Sequence, residues 1–218
     1  SLSYESSGEA ALVAFAVEAR RRGLEVGVNP FIQAVRSGSP PPIQVSVGVD
    51  KTANALVRTH KPKVLFTDAL TPTPDRDSGS IDIYWYMRIF LELGYEVTFL
   101  PVQDLKHAGR YTTALQMLGI RCPLEVDVGQ PWMFLRDFGP EFDLIIAYRA
   151  SSACYVIDPI REFAPQARVV FDTVDLHFLR EQRAAELSGS AEAMEHALRT
   201  RAEELKIMGL SDATILLS

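Results

Sequence analysis

The sequence predicts an α/β protein built on a doubly wound parallel sheet, with a small αβ extension at its N-terminus. Three observations carry that reading. From residue 63 onward, short apolar runs alternate with amphipathic stretches of helical length, and this alternation implies parallel strands joined by right-handed crossovers. Runs such as 144–148 and 169–171 read as buried strands that surface into polar residues. The chain has 218 residues, 47% hydrophobic and 23% charged, which suits one large globular domain, or one plus part of another.

In order, a helix is expected over 9–22, where Leu12, Phe15, Ala16 and Ala19 share a face and three arginines precede Gly23. A short strand over 24–28 follows. Residues 37–42, Ser-Gly-Ser-Pro-Pro-Pro, continue neither helix nor strand and form a connection. Ile43, Val45, Val47 and Val49 alternate with polar or small residues as a half-buried strand does, and a helix and His60-Lys-Pro close the unit. Residues 1–60 are therefore either an extension packed on the main domain or the tail of a preceding one, and 61–218 form the main domain.

That domain is expected to run strand 64–66, helix 80–93, strand 96–100, helix 111–118, strand 120–126, helix 132–138 and strand 142–147. Helix 152–163, strand 168–171, a long helical region to Met208 and strand 213–217 complete it. Ile83, Met87, Phe90 and Leu91 share one face of their helix, and Gly94 stands where a C-cap is expected.

Composition narrows the function classes. A net charge of −6 argues against general nucleic-acid binding, which needs Lys and Arg concentrated on a face. Cys122 and Cys154 are too few for a disulfide framework and point to a reducing cytoplasm. No apolar run nears the ~20 residues that span a bilayer, and residues 1–9 do not resemble a signal peptide. Ser1, in place of an initiator Met, suggests an excised or processed chain. The four histidines, at 60, 107, 177 and 196, are scattered without HExxH or CxxC spacing, so no metal is expected. Nor is there a GxGxxG or Walker pattern for a standard dinucleotide or P-loop site.

Candidate chemistry gathers where strands should surface, since ligands of open α/β sheets bind at the carboxyl ends of strands. The strand 169–171 runs straight into Asp172, Asp175, His177, Arg180 and Arg183. Asp175 and His177 suit a general base or a hydroxyl-orienting pair; Asp175 suits a helix N-cap equally, and Arg180, Glu181 and Arg183 suit a solvated helix face. Arg149 follows strand 142–147, as a cleft cation or a salt-bridge partner. The loop 67–80 is long for its kind, and Ser78, Gly79 and Ser80 open a helix whose free N–H groups favour anions or sugar hydroxyls. Asp77, Ser78 and Gly79 would serve as a plain cap just as well. Tyr84, Trp85 and Tyr86 suit core packing, with one ring facing loop or solvent where it can stack on a sugar.

Asp68 with residues 72–80, 94–101, 142–149 and 171–183 makes a series that resembles the N-terminal half of family-4-type, GT-B fold glycosyltransferases, over residues 63–218. The resemblance implies a Rossmann-like domain that receives the acceptor, facing a C-terminal domain that binds the nucleotide sugar and carries paired glutamates. It implies transfer of a sugar from a nucleotide sugar, a substrate rather than a cofactor, onto a glycan or lipid-linked acceptor, with retention and without metal. Such proteins build polysaccharides in the cytoplasm, with peripheral membrane association a further expectation. By that likeness Gly79, flanked by Ser78 and Ser80, approaches the donor phosphates with Arg149 as cleft cation. Asp175 stands where the family carries its His, with His177 two residues later, and the two are the catalytic candidates. Residues 215–218 correspond to the strand before the crossover to the donor domain, so this half alone is expected to be inactive. Other classes fit too: half of a nucleotide-sugar epimerase, a noncatalytic glycan-binding or assembly module, and more weakly a response-regulator receiver, suggested by Asp68 after a strand but lacking the acidic pair and later Lys.

Overall fold

The computed structural model describes residues 61–216 and the strand Val26–Val28. Expectations for helix 9–22, strand 43–49 and the helix after it lie outside the described residues. The elements are β1 (Val26–Val28), β2 (Lys63–Asp68), α1 (Ser78–Glu92), β3 (Glu96–Pro101), α2 (Arg110–Met117), α3 (Glu125–Val128) and α4 (Pro131–Phe138). A 3-10 turn (Gly139–Glu141), β4 (Leu144–Tyr148), α5 (Ala150–Phe163), β5 (Arg168–Asp172), α6 (His177–Ser188), α7 (Ala191–Leu210) and β6 (Ala213–Leu216) follow.

The strands form one all-parallel sheet in the order β1-β6-β5-β4-β2-β3. The chain is thus α/β with a Rossmann-like sheet, as its alternation predicts. Side chains along β2 and β4 alternate between two cores: Leu65, Ile145 and Ala147 face one, Phe66, Ile146 and Tyr148 the other. Ile83 and Met87 of α1 and Leu115 of α2 cover the second face. Phe134 and Leu135 of α4, Val156 and Ile160 of α5, and Ile207 and Met208 of α7 cover the first. Strands buried on both faces are apolar throughout, which is why β4 reads as an unbroken apolar run.

Two expectations are corrected. The strand expected over 120–126 shrinks to one parallel bridge between Arg121 and Thr98, on the side of β3 away from β2, and Glu125–Val128 is helical. Pro123 has no N–H to give a ladder, so pairing stops there. The long helical region is two helices, broken where Gly189 adopts φ 65° and Ser190 caps α7 by accepting from the Ala193 N–H at 3.2 Å.

From β2 the chain moves outward through β3 to Arg121, then returns to lay β4, β5 and β6 on the other side of β2. The winding direction therefore reverses between β2 and β4. A crevice opens at the carboxyl ends of the strands at such a reversal.

Candidate functional site

At that crevice stands Arg149, the residue after β4. Its guanidinium donates to Asp77 Oδ1 at 2.8 Å and lies 3.5 Å from Asp68 Oδ2. Asp68 ends β2 and is buried; Asp77 caps α1, accepting from the Ser80 N–H at 2.9 Å and from the Ser80 hydroxyl. One cation thus ties the end of β2 to the start of α1 across the switch point. Gly79 makes room for it: a Cβ there would collide with the guanidinium. The Tyr148 hydroxyl donates to the Gly79 carbonyl at 3.2 Å, locking the same turn from below.

The electrostatics are dominated by carboxylates. Burial pushes Asp68 up to about 6 against the pull of Arg149, and pushes Asp172, at the end of β5, up to about 7. Asp82, on the first turns of α1, is also raised by burial. For Asp77, burial is outweighed by the Ser80 hydrogen bonds and Arg149, which hold it below the usual range. Asp68, Asp77 and Asp82 therefore share the Arg149 guanidinium, and Asp68 and Asp172 are pushed up towards neutrality. Such displacement is common at functional sites.

The backbone adds a second sign. Among the described residues, the non-glycine residues at positive φ are Arg149 (φ 63°) and Val174 (φ 60°), one after each of the adjacent strands β4 and β5. For a β-branched valine this conformation is a true outlier, and each such residue costs about 1–3 kcal/mol that its surroundings must supply. The supports are visible: Arg149 N–H donates to the Asp172 carbonyl at 2.8 Å, and Val174 N–H to Asp172 Oδ1 at 3.0 Å. Asp172 thereby joins the two strained turns.

Beyond Val174, Asp175 pairs with both expected neighbours: Oδ1 lies 2.7 Å from His177 Nε2 and Oδ2 2.7 Å from Arg180. Asp175 is not the helix cap; Leu176 holds that position without a side-chain hydrogen bond. His177 N–H instead donates to Glu204 Oε1, from α7, at 2.9 Å.

The structure so brings Gly79, Ser80 and Arg149 into one cluster and Asp175 and His177 into a second, on neighbouring strand ends. Ser78 is the exposed first residue of α1. Arg183 lies exposed on α6. Of the three consecutive aromatic residues of α1, Trp85 is on the surface with Arg88 over its ring at 4.5 Å, and Tyr86 packs edge-on against Tyr148. Tyr84 lines a groove of about 530 Å³ with Pro72, Pro74, Arg110 and Tyr111, bordered by the loop that delivers Asp77. Arg110 closes its rim through Asp75 at 2.5 Å and the Tyr111 hydroxyl at 2.9 Å. Sequence reasoning missed this rim and missed Glu204, since their partners are 35 and 27 residues away. Asp77 was legible only as a cap, and Asp68 carried only the receiver comparison and one position of the resemblance.

Among the described residues no group of three or more His, Cys, Asp or Glu side chains is arranged to hold a metal ion, and no helix is long and apolar enough to cross a membrane. The chain matches no protein-family model, no curated protein and no solved structure.

Proposed function

We propose that this chain is the acceptor-side half of a glycosyltransferase that moves a sugar from a nucleotide sugar onto a glycan or lipid-linked acceptor. The observation that carries the reading is the placement of the Arg149 cluster and the Asp175–His177 pair after the adjacent strands β4 and β5, beside the winding reversal. A site in which three carboxyl groups share one guanidinium, with Asp172 close to Asp82, repels a bare diphosphate and suits hydroxyls, each of which donates to a carboxylate. Tyr84 and Tyr111 line the neighbouring groove, with the Arg110 guanidinium 4.8 Å from the centre of the Tyr111 ring, an amphipathic wall that suits a sugar. In this reading the donor phosphates are held chiefly by a second, donor-binding domain. Gly79 then works indirectly, by admitting the Arg149 guanidinium to the start of α1. His177, held 2.7 Å from Asp175, acts on an acceptor hydroxyl, and positioning and electrostatics supply most of the rate.

The test is nucleotide release from a panel of sugar nucleotides, with crude glycan acceptor added, by a longer chain that carries a donor domain, beside these 218 residues alone. Turnover by the longer chain and silence from this one is the expected result. Absence of turnover with every donor would contradict the reading and favour a noncatalytic glycan-binding module.

A further inference from the structure

We propose that Glu204, reaching across from α7, is the positioning residue that sets His177 against Asp175. The inference deepens the proposed function and rests on it only for the consequence to catalysis. Helix α6 begins without a cap of its own, because Leu176 has no side-chain acceptor. The first N–H groups of a helix need partners, and here a residue of another helix supplies one. Glu204 is fully buried, and its Oε1 accepts the His177 N–H at 2.9 Å. The Phe178 N–H further favours its charged form. A side chain with several rotatable bonds is thereby pinned at its backbone, within one residue of the Asp175 contact.

The location is costly for a carboxylate. Glu204 Oε2 has no hydrogen-bond partner among the described residues. Burial is the main force that pushes its carboxyl up to about 7, and the charges of Asp175, from the β5–α6 loop, and Glu181, from α6, push the same way. Other charges bear on these groups. Arg180 neutralises part of Asp175, His196 of α7 lies 3.7 Å from Glu181, and Arg201 stacks over Phe178 at 5.9 Å. A leucine or methionine would fill the volume without desolvating a charge; what the acid adds is an acceptor for the α6 N-terminus. As pH rises through neutrality Glu204 ionises and its bond to the His177 amide strengthens, so the grip on His177 tightens with pH.

The experiment is ¹H–¹⁵N NMR of the full 218-residue chain, wild type and Glu204→Gln, between pH 5 and 9. In the wild type the His177 and Phe178 amide shifts should move together along one titration curve that the variant lacks. At pH 8 the variant keeps only a neutral carbonyl acceptor, so it should exchange both amides faster, by up to about tenfold, the scale of the charge-assisted part of the bond, and should move the His177 ring resonances. Far-UV circular dichroism should be unchanged. Amide shifts indifferent to pH in the wild type, or a variant with unchanged His177 ring resonances, would overturn the proposal, and the wild-type titration stands even if the variant does not fold. Glycosyl transfer by a longer chain fails independently. No transfer with these signatures intact removes the glycosyltransferase reading alone, whereas full transfer by Glu204→Gln with the signatures lost removes the catalytic consequence alone.

Discussion

The turn after β4 and the turn after β5 solve one problem in opposite ways. Each holds a non-glycine residue at positive φ, Arg149 in one and Val174 in the other. The β4 turn is fixed by charge: its guanidinium spans Asp68 and Asp77, which lie 81 and 72 positions earlier in sequence. The β5 turn makes its ion pairs within five residues, Asp175 with His177 and Arg180, and its long-range support is the carboxyl of Glu204, from α7, accepting from the His177 amide at the start of α6. The first cluster is closed by ion pairs among its own groups. The second presents an imidazole whose backbone alone is clamped, a division expected of a scaffold beside a working group.

Raising the pH should strain both clusters at once, with the largest effect. Asp68, Asp172 and Glu204 have pKa values of about 6, 7 and 7, against ordinary values of 3.8, 3.8 and 4.5. Between the ordinary and raised values the folded chain binds more protons than the unfolded one, so stability falls as pH rises. Urea denaturation should show a loss on the order of several kcal/mol from pH 5 to pH 8; a flat or rising profile would refute these buried acids.

Removing the cation sharpens the contrast. Arg149→Ala leaves buried Asp68 without its counter-charge and should cost about 3 kcal/mol at pH 8, and clearly less at pH 5, where Asp68 is protonated. Arg149→Gly should be about 1 kcal/mol more stable than Arg149→Ala, because glycine accepts positive φ freely. Equal stability of the two variants by chemical denaturation would mean the turn is not strained. Asp77→Ala removes the α1 cap and one of two Arg149 partners, for about 1–2 kcal/mol in the same assay. The smallest effect belongs to the β5 turn: Arg180 is 67% exposed, so Arg180→Ala should change stability by less than about 1 kcal/mol. A larger loss there would erase the distinction between the turns.

These turns also mark how far the sequence could be read. Parallel strands buried on both faces announce themselves as apolar runs, so β4 and β5 were legible nearly to the residue. Their shared position at a winding reversal was legible only as a general rule, because strand order depends on long-range pairing. The edge strand at 120–126 misled because its apolar residues suit pairing while Pro123 forbids it. Asp175 with His177 could be singled out because the pair is local. Glu204 could not, since an acid within a long helix reads as solvated until tertiary packing buries it. Gly79 was legible as a close approach, but the group that approaches is Arg149, from 70 residues later.

The most direct test of the central claim is kcat/KM for sugar transfer by the longer chain carrying Asp175→Ala, His177→Ala or Arg149→Ala, beside Trp85→Ala as a surface control. The account predicts losses of about a hundredfold or more for His177→Ala and Asp175→Ala, a loss for Arg149→Ala, and near-normal turnover for the control. Undiminished transfer by both the His177 and Asp175 variants would contradict it.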